Sequence, residues 1–130
     1  MADAPTSKGW SIDLNWLEQN NRSFLALARG CLCPDCRQRL EEAKKPFSAA
    51  ELIKHIRGCC SKTPEFFTGR PPLLESIFRI FLANGNRPLG LEELSRRLAE
   101  RWGGAPRRIS PEVLSHLLRN ERYYGLRPVG

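Results

Sequence analysis

The sequence has no long apolar run and no secretory signal. The opening MADAPTSKGW holds no hydrophobic stretch, and no later run is long enough to cross a bilayer. A membrane partner is therefore not expected. The reading points to a cytoplasmic protein, where clustered cysteines more often bind metal than form disulfides. Catalytic signatures are missing too. There is no Ser/His/Asp arrangement, no pair of catalytic carboxylates, and no H-x-E or H-E-x-x-H pattern. Gly103-Gly104 lacks the Lys-Ser/Thr of a phosphate-binding loop. An enzyme is not expected. Internal repeats are absent. Lysine is nearly absent from the second half: residues 61–130 hold twelve basic residues, and eleven of them are Arg.

What is present is, first, a set of five cysteines and one well-placed histidine. Cys33-Pro34-Asp35-Cys36 is followed by His55 and by the pair Cys59-Cys60. The pattern C-x2-C-x18-H-x3-C is close to the spacing of structural zinc sites. A C-x2-C turn grips one ion from a tight loop, and His55 and Cys59 lie one helical turn apart. Cys33 and Cys36 are the firm pair. The remaining ligands are drawn from His55, Cys59 and Cys60, and a four-cysteine site that leaves His55 on the surface is an alternative. Cys31, two residues from Cys33, is awkwardly placed for a chelate and is expected to be a free thiol. With four ligands such a site is closed, so the expected cofactor is a structural Zn2+. A chain of 130 residues divided into two small units suits such a staple, because a unit of about 60 residues is marginal without one.

Local signals place helices along the chain. Asp13 caps a short helix ending near Asn20-Asn21, and Ser23 caps a second that stops at Gly30. Residues 37–46 are charged and read as surface. Ser48-Ala49-Ala50-Glu51 is a capping box, with Leu52, Ile53 and Ile56 at helical spacing behind it. Residues 61–72, with Pro64, Gly69, Pro71 and Pro72, read as a connector that Phe66 and Phe67 pack against something. Beyond it, Leu73, Leu74, Ile77, Phe78, Phe81 and Leu82 form a buried helical face. Leu91, Leu94, Leu98 and Trp102 mark the next helix. Ser110-Pro111-Glu112 opens a third, whose inner face is Val113, Leu114, Leu117 and Leu118. Arg122–Val129 has strand character, and Tyr123 and Tyr124 are expected to close the core.

Helix, Pro88-Leu89 link, L-x-x-L-x-x-x-L helix, Ser-Pro-capped helix and aromatic strand together resemble a winged helix-turn-helix domain of the HARE-HTH type. The resemblance covers about half of the chain. It implies that the third helix enters a major groove and that outward side chains near its start meet base edges. The chain ends at Gly130, which leaves no room for a full second wing strand.

The expected fold is mainly α: a zinc-stabilised helical module at 10–68 packed on a winged-helix domain at 70–130 with a minimal wing. Net charge is +7, of which residues 61–130 carry +5 (twelve basic against seven acidic). Arginine forks suit phosphate recognition, so the expected partner is nucleic acid, DNA or RNA, and the expected role is transcription regulation. The contact residues are expected to be Arg96, Arg97, Arg107, Arg108, Ser115, His116 and Arg119. The alternative is a protein–protein adapter that docks a partner on the same helices.

Overall fold

The computed structural model describes residues 9–45, 47–63, 66, 72–101 and 109–129. Arg107, Arg108, Trp102, Phe67 and the boundary near Gly69 lie outside the described residues, as does the side chain of Arg101.

The described chain is mainly helical. It opens with β1 (Trp10–Ile12) and continues through α1 (Leu14–Gln19), α2 (Phe24–Arg29), α3 (Pro34–Glu42) and α4 (Ala49–Gly58). A 3-10 turn at Cys60–Lys62 follows. Then come α5 (Leu73–Ala83), α6 (Leu91–Arg101), α7 (Pro111–Arg119) and β2 (Leu126–Pro128).

The caps act as their residue types require. The Asp13 carboxylate accepts the Trp16 N–H at 3.0 Å, the Ser23 hydroxyl accepts that of Ala26 at 3.1 Å, and Ser110 accepts that of Val113 at 3.2 Å. The capping box closes in both directions: Glu51 N–H donates to Ser48 at 3.1 Å, and Ser48 N–H donates to Glu51 at 2.8 Å. α3 was not expected from the charged run at 37–46. Its signal lies just before that run, in Pro34 at the first helical position and Asp35 in the first turn.

The sheet is small and joins the two ends of the chain. β1 pairs antiparallel with β2 in the register Trp10 to Pro128, Ser11 to Arg127 and Ile12 to Leu126. On its other side β1 meets the link between α5 and α6. Trp10 exchanges backbone hydrogen bonds with Leu89 at 2.8 and 3.0 Å. Two residues on, the Asn86 amide stands in for a strand: its Oδ1 accepts Ile12 N–H at 2.8 Å and its Nδ2 donates to Ile12 O at 3.0 Å. Asn86 has φ of 59°, a left-handed conformation that asparagine tolerates better than most residues. The strand Trp10–Ile12 thus lies beside β2.

One buried cluster runs through both halves. Leu17, Leu52 and Ile56 share it with Phe78, Phe81, Leu94, Leu98, Leu114 and Leu118. Phe24 of α2 meets Phe78 of α5 at 6.3 Å between ring centroids, and Phe78 meets Tyr124 at 4.9 Å. Phe66 is buried, and the Arg79 guanidinium sits over its ring and donates to its carbonyl at 2.8 Å. Two expected core positions turn outward. Val113 is 49% exposed because the inward stripe of α7 centres on Leu114 and Leu118, one residue further round the helix. Tyr123 is 48% exposed, while Tyr124 is the member of the pair that packs inward.

Candidate metal centre

The turn 31–36 and the end of α4 bring four sulfurs together. Cys33 is the N-cap of α3 and Cys36 lies in its first turn, so the loop entering the helix aims both thiols to one side. α4 ends at Gly58. Cys59 then leaves helical geometry, with φ of −131° and ψ of −65°, and the 3-10 turn carries Cys60 back inward. This break lets two adjacent cysteines face the same point, which a continuous helix would forbid. The Sγ atoms of Cys33, Cys36 and Cys59 lie within 4.8 Å of one another. Cys33 Sγ is 3.7 Å from that of Cys59 and 3.5 Å from that of Cys60.

These distances are chemically informative. A disulfide requires about 2.05 Å between sulfurs, and all five cysteines are free. Tetrahedral thiolates on an ion with bonds of about 2.3 Å stand about 3.8 Å apart. Three of the four thiols are buried and Cys59 is exposed, so the cluster sits at the surface with its inner side in the core. Four such side chains at this spacing could hold a metal ion.

The local field favours thiolate at one position. Burial pushes the Cys33 thiol up, but the Cys36 backbone N–H and the neighbouring thiols direct hydrogen bonds at it and hold it below its ordinary range. Burial raises Cys36, and the surrounding thiols raise it further. Burial also raises Cys60, partly offset by the Cys33 N–H, which donates to its sulfur at 3.2 Å. A bound cation would reverse the penalty at these two positions. Cys31 stands apart from the cluster. It is buried and free, and burial pushes its thiol up to about 11.

The structure does not bring His55 to the sulfurs. Its ring stacks on Phe47, 4.8 Å between centroids with planes 9° apart. Phe47 precedes the Ser48 cap and His55 lies two turns into α4, so the two meet across the start of the helix.

Arg96 and Arg97 of α6 are occupied. Arg96 pairs with Glu93 and with Glu100, the latter at 2.9 Å, and Arg97 pairs with Glu93 at 2.8 Å. Arg96 and then Arg97 hold the Glu93 carboxyl down at about 2. On α7, His116 and Arg119 are exposed and Ser115 is half-buried. No family model, no curated protein and no solved structure matches this chain.

Among the described residues no helix is long and apolar enough to cross a membrane. The main feature that sequence reasoning missed is Glu121. It is 3% exposed, and its carboxylate accepts the backbone N–H groups of Tyr123 at 2.6 Å, of Tyr124, and of Leu126 at 2.9 Å. One side chain thereby shapes the turn from α7 into β2. No spacing rule marks such a residue in advance.

Proposed function

We propose that this is a non-catalytic nucleic-acid-binding protein whose four-cysteine cluster holds a structural zinc ion. Cys33, Cys36, Cys59 and Cys60 would complete the tetrahedron, leaving no open position for a substrate. His55 stays on the surface in this reading. The helices α5, α6 and α7 form a winged helix-turn-helix that presents α7 to a DNA major groove, in the manner of a transcription regulator. His116 and Arg119 would face the bases.

One observation carries the reading. Among the described residues no carboxylate pairs with Arg119, Arg122 or Arg127, whereas Arg29, Arg79, Arg96 and Arg97 all have acidic partners. Unpaired guanidiniums following α7 suit phosphate. Arg96 and Arg97, neutralised by Glu93 and Glu100, contribute less than their number suggests.

The test is binding of the zinc-loaded chain to a labelled random duplex across a salt series. Two phosphate contacts, from Arg122 and Arg127, predict a log–log slope of about −1.8 and dissociation constants of about 1–100 μM near physiological salt. Arg119→Ala should weaken binding. A well-folded protein with no duplex binding at low salt would refute the DNA reading. The exposed Val113 on α7 would then favour the second reading, a protein-interaction adapter docking through that helix.

A further inference from the structure

We propose that the surface made by Arg22, Tyr123, Arg122, Arg127 and Trp16 binds single-stranded nucleic acid. This rests on the nucleic-acid reading above, shares Arg122 and Arg127 with it, and adds two aromatic rings and a different form of the ligand.

Side-chain contacts, with the adjacency of Arg122 and Tyr123 in the chain, join the five residues into one strip. The Arg22 guanidinium lies 4.8 Å from the centroid of the Tyr123 ring, and that of Arg127 lies 5.7 Å from the Trp16 ring. Arg122 and Arg127 both donate to a single acceptor, the Glu121 carbonyl, at 2.9 and 3.1 Å. Two guanidiniums are thus held together with no ion pair between either of them and a described carboxylate. Like charges so placed repel, and a phosphate accepting from both would relieve that.

The nearby acids do not supply the missing charge. Glu121 is the only acidic residue between 113 and 129, and its carboxylate is buried on three backbone N–H groups. Asp13 caps α1, and the exposed Glu18 forms no ion pair with Arg22, Arg122 or Arg127. The fold thus turns the nearest carboxylate inward and leaves the cations outward.

The aromatics decide between a double and a single strand. A duplex keeps its base faces inside the stack and offers phosphates alone. A single strand offers both phosphates and open base faces, and bases stack on aromatic rings with little regard for sequence. Tyr123 is nearly half exposed and Trp16 is partly exposed, each beside a guanidinium. Each ring has a guanidinium beside it, as each base of a single strand has a phosphate beside it.

Fluorescence anisotropy on the zinc-loaded full chain tests this, with labelled 12-nucleotide oligouridine and oligothymidine against a 20-base-pair duplex. Both single strands should bind more tightly than the duplex. Tyr123→Ala should weaken single-strand binding by about 5- to 100-fold, and Tyr123→Phe should retain it. Arg122→Gln with Arg127→Gln should reduce the salt slope by about 1.4, with folding checked by circular dichroism. Unchanged single-strand affinity in Tyr123→Ala overturns the proposal. So does equal competition by a polyglutamate peptide, which would mark a site for acidic protein. Duplex binding that depends on Arg119, with no single-strand binding, overturns it and leaves the major-groove reading standing. Single-strand binding that depends on Tyr123, with no duplex binding, supports it and removes the major-groove reading. Binding of neither removes both.

Discussion

Replacing Glu121 with alanine removes one acceptor and strands three backbone donors. The Leu126 N–H is buried, so leaving it unpaired costs about 1–3 kcal/mol. The Tyr123 and Tyr124 N–H groups are part-buried, so water replaces some of what each loses, and about 0.5–1 kcal/mol apiece is reasonable. The sum is a destabilisation of about 2–5 kcal/mol, a large share of the roughly 5–15 kcal/mol that holds a domain of this size together. Glu121→Gln keeps one acceptor oxygen and loses the charge that strengthens these bonds, so about 1–2 kcal/mol is expected. Urea unfolding read by far-ultraviolet circular dichroism and by tryptophan fluorescence measures both variants. The order wild type, Gln variant, Ala variant is the signature of an acceptor role. An alanine variant within about 0.5 kcal/mol of wild type would refute the assignment, because surface substitutions alone produce changes of that size.

Three other outcomes follow from named contacts. Cys36→Ser should abolish zinc retention measured by mass spectrometry of the native protein, while His55→Ala should retain one ion per chain, since the His55 ring lies on Phe47. Asn86→Ala should cost about 1–3 kcal/mol in urea unfolding, having removed two hydrogen bonds to Ile12. Glu51 is held below its usual 4.5 by the Ser48 backbone N–H and hydroxyl, so its contribution is present above pH 4.5 and is lost as pH falls through the lower folded value. The stability gap between wild type and Glu51→Gln should therefore be larger at pH 6 than at pH 2.5; equal gaps would refute it.

What could be read from the sequence was what local chemistry fixes. Asp13, Ser23, Ser48 with Glu51, and Ser110 with Pro111 each mark a helix start through a bond that spans only three residues, and each is present. The periodic apolar face of α5 was equally legible, because burial at 3.6-residue spacing needs no knowledge of what covers it. The pairing of β1 with β2 was not. Trp10 and Pro128 stand at opposite ends of the chain, and a three-residue strand carries no period that names its partner. The cysteine cluster was legible in part. The C-x2-C pair is local, but the choice among His55, Cys59 and Cys60 depends on how α4 ends. A continued helix would have kept His55 and Cys59 on one face; the break at Cys59 presents both Cys59 and Cys60 instead.

That break links the cysteine cluster to the rest of the molecule. The sulfurs come from two segments whose only covalent link is α3, α4 and the loop between them, so an ion binding all four closes that loop. The same α4 places Leu52 and Ile56 in the core and packs along α5. From α5 the contact continues through Phe78 to Tyr124, and next to Tyr124 stands Tyr123, in edge-to-face contact at 4.8 Å. A ligand absent from the unfolded chain adds its binding energy to folding. Because α4 and α5 share one apolar interface, that energy is felt on both sides of it. Zinc bound between α3 and α4 would therefore support the turn that carries Arg122, Tyr123 and Arg127, although no cysteine of the cluster lies on that turn.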